Sequence, residues 1–315
     1  MKIGVSECLT GVKCRYDGSH ARDDFVTKVL AEYAEFVPFC PEAAVLGTPR
    51  ETMRFVRFED GVKLVGNASG SDYTAPIRAY SLEAAERIRN EGLCGFVFKA
   101  KSPSCGVERV KIYTEGGMPA ESADGLFART VQEALPYLPV EDEKRLLDAW
   151  LRENFILHIF AYERYMTFAK TARSMKELVD FHSRHKFLLQ SKHEGYYREL
   201  GSIVANHDKL AFEAVMEKYG ELFLKTIAQK NSRGAAVNVL EHMYGFVKKL
   251  VSDEEKQLFL KTLGEFREGV IPMIAVLKLL EHFVVLHNVE YIKNQVFLDP
   301  YPAKLGLRSD IKAYR

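Results

Sequence analysis

A chain of 315 residues with 47% hydrophobic and 28% charged side chains has ordinary globular proportions, which excludes disordered, collagen-like and coiled-coil classes. Its length suggests two domains, and it has no run of 18 apolar residues that would span a membrane. The net charge of +1 hides a split: residues 1–150 carry 19 Lys and Arg against 23 Asp and Glu, and residues 151–315 carry 25 against 20.

Lys2-Ile-Gly-Val-Ser6 reads as a short buried strand. It runs into a polar loop from Glu7 to Gly18, and Asp23 to Tyr33 then has helical spacing. Phe36-Val-Pro-Phe39 is a second apolar run, ending at Cys40-Pro-Glu42. Ser81 reads as the N-cap of a helix through Arg89, closed by Gly92. Gly95 to Lys99 is a third strand and Arg109 to Tyr113 a fourth. Strands alternating with helices predict an α/β N-terminal domain with a mostly parallel sheet. Beyond Pro139 the spacing turns helical, starting with one long stretch from Glu141 to about Lys170. Two capping boxes, Ser174-Met-Lys-Glu177 and Ser252-Asp-Glu-Glu255, open further helices, and Ile274 to Val296 reads as helix until Pro300. The fold expected is an α/β domain over residues 1–140 and an all-α C-terminal domain over 141–315, with six to eight helices. Met1-Lys2 precedes an apolar stretch broken at Glu7, so no signal peptide and a cytoplasmic location are expected.

All five cysteines (Cys8, Cys14, Cys40, Cys94, Cys105) lie in the first 105 residues, while eight of nine histidines lie beyond residue 150. An odd count in a chain expected in the cytoplasm argues against a disulfide framework. In a parallel sheet, ligands bind at the carboxyl ends of the strands. Cys8, Cys40 and Cys105 each follow a strand end, so their thiols should gather at one edge, whereas Cys94 precedes its strand and falls at the other. Three convergent thiols suit a metal or an iron–sulfur cluster, but the spacing is neither that of a zinc finger nor that of a ferredoxin. On spacing alone a metal cluster, a reactive cysteine and structural thiols all stay open. Glu42 places a carboxylate beside one thiol, Ser102 and Ser104 place hydroxyls beside another, and Pro41 and Pro103 stiffen both loops.

Ser6-Glu-Cys-Leu-Thr-Gly11, Arg15-Tyr-Asp-Gly18, Cys40-Pro-Glu42, Gly47-Thr-Pro-Arg50 and Ser102-Pro-Ser-Cys-Gly106 resemble the signature of the TudS thiouracil desulfidase family, in the right order over about residues 1–138. Residues 143–313 resemble the helical domain fused to it in RudS proteins, through Arg152-Glu-Asn-Phe155, Phe181-His-Ser-Arg-His-Lys186, Leu200-Gly201 and a tail from Tyr291 through Gln295 and Pro300 to Leu307-Arg308. The resemblance implies a [4Fe-4S] cluster on Cys8, Cys40 and Cys105, with the fourth iron left for the sulfur of a thiocarbonyl. It implies removal of sulfur from thiolated uracil, as 4-thiouridine, its nucleotide, 2-thiouracil or thiolated tRNA, to give uracil or uridine and hydrosulfide without net redox. Glu42 is then the candidate base for the attacking water, Ser102 a proton relay or a holder of the ring, and Ser104 its rival as a substrate contact. Cys14 would close the site if it bound the fourth iron; related sequences often carry Val there, which leaves it outside the implied ligand set. The non-catalytic rival is a cluster- or zinc-containing module for redox sensing or nucleic-acid binding.

His182 and His185 share a helix face and suit either a metal pair, the core or an RNA surface. Arg184, Lys186 and Lys192 make that helix basic, and Tyr196 and Tyr197 could stack a base. Arg15 and Tyr16 are candidate pocket residues, while Arg50 and Arg54 suit acidic partners or a substrate phosphate. Ser69-Gly-Ser-Asp-Tyr-Thr74 lacks the Gly-Lys-Ser/Thr ending of a nucleotide loop.

Overall fold

In the computed structural model, which describes residues 1–315, the apolar run Lys2–Ser6 forms strand β1 inside a four-stranded sheet. It pairs in parallel with β2 (Glu35–Phe39) and with β5 (Phe96–Phe98), and β8 (Val140–Asp142) joins the far side of β5, also parallel. All three residues of β5 are buried, as expected of an inner strand covered on both sides. Phe96 stacks on Phe98 at 4.1 Å between centroids, and both meet Phe127 edge-on at 5.5 Å. Phe127 lies on α3 (Leu126–Ala134), which thereby closes this aromatic core.

A second sheet has the order β4-β3-β6-β7, built from β3 (Met53–Phe58), β4 (Gly61–Gly66), β6 (Val110–Thr114) and β7 (Pro119–Ala123). Only its β3–β6 pair is parallel. The predicted fourth strand, β6, thus belongs to this sheet and not to the parallel one. Met53, Phe55, Leu64, Val110 and Ile112 pack with Ile77 of α2 (Thr74–Asn90) and Leu126 of α3. Between β2 and β3 lies the short helix α1 (Pro41–Leu46).

Three expected local elements differ. The segment from Asp23 to Tyr33 is not a regular helix but a π-turn, Phe25–Val29, followed by a 3-10 turn, Leu30–Glu32. Its β-branched Val26, Thr27 and Val29 lower helix propensity, and the Thr27 hydroxyl donates to the Asp23 carbonyl at 2.8 Å. α2 starts seven residues before Ser81, which sits buried inside it and donates its hydroxyl to the Ile77 carbonyl at 2.6 Å instead of capping. Residues 141–147 are not the start of a long helix. They form β8 and a 3-10 turn, Arg145–Leu147, tied down by Asp142, whose Oδ1 accepts the amides of Lys144 and Arg145 at 2.9 and 2.8 Å.

The chain divides into two units, Met1–Leu147 and Asp148–Arg315. The second holds α4 (Ala149–Thr171), α5 (Met175–Lys192), α6 (Glu194–Ala205), α7 (Phe212–Ile227), α8 (Arg233–Tyr244), α9 (Asp253–Glu268), α10 (Met273–Leu286) and α11 (Glu290–Lys293). The Ser252–Glu255 capping box forms in both directions, whereas the Glu177 carboxylate accepts the amide of Arg173, one residue before the Ser174 cap. The helix expected from Ile274 to Val296 breaks into α10 and α11, because Asn288 takes a left-handed conformation with φ 51°. The N-terminal unit is therefore an α/β domain with a mostly parallel sheet, and the C-terminal region is helical, as the sequence predicts. No helix is long and apolar enough to cross a membrane.

Several imidazoles are buried in the helical unit without a counter-charge. Burial pushes His158 down to about 3, His182 to about 4 and His185 to about 3. An unfolded imidazole takes a proton near 6.5, so between that value and about 4 the unfolded chain binds more protons than the folded one. Stability is complete above pH 6.5 and is lost as pH falls, by about 2 kcal/mol per histidine at pH 5. The unfolding midpoint is expected to drop between pH 7.5 and pH 5, with a shallower fall in His185→Phe. An equal midpoint at both pH values would contradict this.

Candidate active site and metal centre

The carboxyl ends of β1, β2 and β5 lead into loops that enclose a cavity of about 410 Å³. β1 passes directly into a 3-10 turn, Glu7–Thr10, which carries Cys8. β2 ends one residue before Cys40, which is still extended; Pro41 then suits the first helical position of α1, and the Ala43 amide donates to Cys40 Sγ at 3.4 Å. The loop after β5 turns at Lys101, whose φ is 61°, and folds back so that the Gly106 amide donates to the Ser102 carbonyl at 2.8 Å. Glycine is needed at 106 for space: a Cβ there would lie 2.5 Å from Val110 Cγ2 and 3.0 Å from the Ser102 carbonyl oxygen.

Cys8, Cys40 and Cys105 all line this cavity, together with Glu42, Ser102, Arg15 and Tyr16. Cys14 lines it as well. Cys94 does not; it is buried at the start of β5, where its amide donates to the Lys2 carbonyl at 2.8 Å. Ser104 does not line it either. That residue is fully buried, its carbonyl accepts amides of α3, and its hydroxyl has no partner. Arg54 is exposed on β3, outside the cavity.

Glu42 is held from two sides. Arg50 donates to its Oε2 from Nη2 at 2.9 Å and Nε at 3.3 Å, and the Ser102 hydroxyl donates to Oε1 at 2.9 Å. The same hydroxyl accepts the amides of Ser104 and Cys105, each at 3.2 Å. A serine hydroxyl has one proton and two lone pairs, so Ser102 is fully engaged in fixing Glu42 to the Cys105 loop. Arg50 is itself buried, with Nη1 donating to the carbonyls of Cys14 and Gly47 at 3.0 Å each. It follows the cis peptide Thr48–Pro49 in the motif Gly47-Thr-Pro-Arg50. The sequence offered Arg50 an acidic partner or a phosphate; the structure gives it the proposed base.

Three of the cavity thiols, Cys14, Cys40 and Cys105, are held above the ordinary thiol range. The Cys14–Cys40 hydrogen bond and then burial push Cys40 up. At Cys14 the bond with Cys40 acts downward, but the neighbouring Cys8 thiol, burial and the Cys8 and Glu7 charges outweigh it and push Cys14 up to about 12. Burial raises Cys105 against the lowering effect of Ser6 and Ser102. Lys99 also lines the cavity and pairs with the buried Glu143 at 2.5 Å. Glu7 and Lys99, which residue spacing did not single out, are adjacent in sequence to the Cys8 turn and the end of β5.

The loop around Ser69 is filled from within the chain. Glu51 Oε2 accepts the amides of Ala68 and Ser69 at 2.8 and 3.0 Å, and Oε1 accepts the hydroxyls of Ser69 and Tyr73 at 2.6 and 2.8 Å. These bonds, led by the Ser69 hydroxyl, pull Glu51 down to about 2. A side-chain carboxylate occupies the place a phosphate would take.

In the helical unit the two candidate histidines are part of the packing. His185 stacks on Phe181 at 4.0 Å and its Nδ1 meets the Phe181 carbonyl at 2.7 Å, while His182 Nδ1 lies 3.3 Å from the Tyr219 hydroxyl. Lys192 points inward, donating to the Gln229 carbonyl at 2.8 Å and to Asn154 Oδ1 at 3.3 Å, so it is withdrawn from the basic surface. Arg184 stays exposed and lines a depression of about 440 Å³ with Tyr291, Asn294 and Gln295.

Residues 3–143 match the family model for 2-thiouracil desulfurase, and residues 186–302 match a protein of unknown function (DUF1722). The chain is 35% identical over 112 residues to the uncharacterized protein YbbK of Bacillus subtilis (strain 168), covering 33% of this chain and 72% of that one. It is 22% identical over 157 residues to the uncharacterized protein YbgA of Escherichia coli (strain K12), covering 50% of this chain and 93% of that one. Among solved structures it is similar to the [4Fe-4S]-dependent thiouracil desulfidase TudS, at 30% identity with a TM-score of 0.37, covering 46% of this chain and 93% of that chain. Through residues 3–143 the chain belongs to the 2-thiouracil desulfurase family, and a DUF1722 region follows it over residues 186–302.

Proposed function

We propose that this protein is a [4Fe-4S]-dependent desulfidase that converts thiolated uracil to uracil or uridine and hydrosulfide. The observation that carries the reading is the gathering of Cys8, Cys40 and Cys105, from three separate loops, around one cavity that also holds the Glu42–Arg50–Ser102 group. The donor set fits a cluster: three cysteine sulfurs from separate loops face one cavity, and iron turns such thiols into thiolates. When bound by these three cysteines, a cluster supplies one iron without a protein ligand, a soft Lewis acid for the substrate's sulfur.

The chain's own residues supply the rest. Glu42 accepts two bonds from Arg50 at Oε2 and one from Ser102 at Oε1, so Oε1 keeps a further acceptor position and can take a proton from the attacking water. Arg50 holds the carboxylate in place and Ser102 ties it to the Cys105 loop, a positioning role. Phe39, Met53 and Tyr16 give the cavity apolar walls against which a flat pyrimidine can lie. Anaerobically prepared protein, loaded with iron and sulfide, should be brown and should release hydrosulfide and uracil or uridine from 2-thiouracil, 4-thiouridine or its nucleotide. A colourless protein, or a coloured one inert on all three, would overturn the reading in favour of a non-catalytic module.

The helical unit binds RNA that carries the thiolated base, tRNA above all. Support comes from its positive balance and from Arg184 and the 38%-exposed Tyr291, which meet in one depression and suit a phosphate and a stacked base. Gln295 fixes that depression by donating from Nε2 to the Ser183 carbonyl at 3.0 Å. The pair Arg184→Glu and Tyr291→Ala is expected to lower kcat/KM on thiolated tRNA by about tenfold or more, since one stacked base is worth about 1–3 kcal/mol. Turnover of 4-thiouridine should stay as it was; an equal loss on both substrates would remove this surface from RNA recognition.

A further inference from the structure

The four thiols around the cavity are not evenly spread. The ligand atoms of Glu7, Cys14 and Cys40 all lie within 4.8 Å of one another, a set that includes neither Cys8 nor Cys105. Cys105 sits among the hydroxyls of Ser6 and Ser102 and the Glu42 carboxylate, with Cys40 as its nearest thiol influence. Such spacing discriminates between metal species. Around one tetrahedral ion with metal–sulfur bonds of about 2.3 Å, the sulfurs sit about 3.8 Å apart. Around an iron–sulfur cube each cysteine grips a different iron, so the sulfurs must stand further from one another.

From this geometry we propose that Cys14, Cys40 and Glu7 form a mononuclear site for a divalent cation of the zinc class, exclusive of any cluster held by Cys8, Cys40 and Cys105. Two sulfurs and one carboxylate oxygen, with a fourth position for water, are a donor set that zinc accepts, and soft thiolates select it over magnesium or calcium. The ligand loops are tethered before any metal arrives. The Ala43 amide donates to Cys40 Sγ, and Arg50 Nη1 holds the Cys14 carbonyl at 3.0 Å. Arg15 on the cavity wall offsets part of the negative charge of a site with two thiolates and one carboxylate. Binding exchanges two S–H bonds for two metal–sulfur bonds; two protons leave to solvent and no electron moves. Cys14, which a three-cysteine cluster does not use, is the residue that decides which metal species the shared Cys40 receives.

The test uses the full-length, metal-free protein under anaerobic conditions, titrated with Co²⁺ and then with Zn²⁺. One equivalent of Co²⁺ should give sulfur-to-cobalt charge transfer and intense tetrahedral d–d absorption, which Zn²⁺ abolishes. Cys14→Val should weaken Co²⁺ binding by at least about a hundredfold, because even groups behind the ligands are worth about 10–100-fold. Cys105→Ser should bind Co²⁺ as the wild type does. Wild-type protein loaded with Zn²⁺ should also resist assembly of a cluster from iron and sulfide. The opposite pattern, with Cys105→Ser losing the cobalt signal and Cys14→Val keeping it, would overturn the assignment, as would a wild type that shows no thiolate-to-cobalt band. Should Cys14→Val lose its folded circular dichroism, Glu7→Gln decides: its d–d envelope must move while the charge-transfer band persists, and an unchanged spectrum overturns the site. Failure here leaves the desulfidase reading intact, because the cluster is read by its own absorption.

Discussion

Cys105→Ser is expected to give a folded protein without a [4Fe-4S] cluster and with desulfidation reduced by about a thousandfold or more. Lewis-acid polarisation is worth several kcal/mol, and each ~1.4 kcal/mol is a factor of ten. The fold should survive. Serine is slightly smaller than cysteine, and the buried hydroxyl would find the Ser6 hydroxyl that already neighbours the thiol. The loop itself is held by bonds that do not involve the side chain: the Cys105 amide to Ser102 Oγ and the Gly106 amide to the Ser102 carbonyl. Iron and sulfide content, the visible spectrum and chromatographic loss of the thiolated substrate are the readouts. A Cys105→Ser protein that keeps a full cluster would remove this residue from the ligand set, and with it the strand-end argument.

Glu42→Gln is the second variant with a large expected effect. Glutamine keeps the shape and can still face Ser102, but it cannot take a proton, so kcat should fall by about 10²–10⁴-fold while the cluster spectrum is unchanged. KM should move little, because no apolar contact to the ring is lost. The exchange also leaves the Arg50 guanidinium without its carboxylate, although the carbonyls of Cys14 and Gly47 still accept from it. A stability loss of about 1–3 kcal/mol is expected from that weakened bond. If Glu42→Gln turned over 4-thiouridine at the wild-type rate, the base would have to be sought among the other groups on the cavity wall.

The parallel sheet was legible because its strands are short apolar runs with sharp ends, and such a run is a local property of the sequence. β1 and β2 lie within a residue of where the pattern places them. The hairpin β3–β4 has an equally local signal in Asp60-Gly61, but its strands carry the charged Arg54, Arg57 and Lys63 and so lack a continuous apolar run. Residues 141–145 misled because acidic and basic side chains at helical spacing look solvated. In the fold they are largely buried, with Arg145 paired to Glu141 at 2.6 Å and Glu143 to Lys99.

At the cavity the division is similar. Chain order alone put Cys8, Cys40 and Cys105 just beyond three strands, because parallel strands end at one edge whatever the loops then do. Which side chain meets which was settled by loops closing over tens of residues. Arg50 turns back onto Glu42, Ser102 bridges to that same carboxylate, Ser104 sinks behind α3, and Cys14 folds against Cys40. Spacing along the chain fixes the edge at which a residue emerges; the direction of its side chain follows from packing and hydrogen bonding among segments far apart in sequence, and those contacts exist only once the fold has formed.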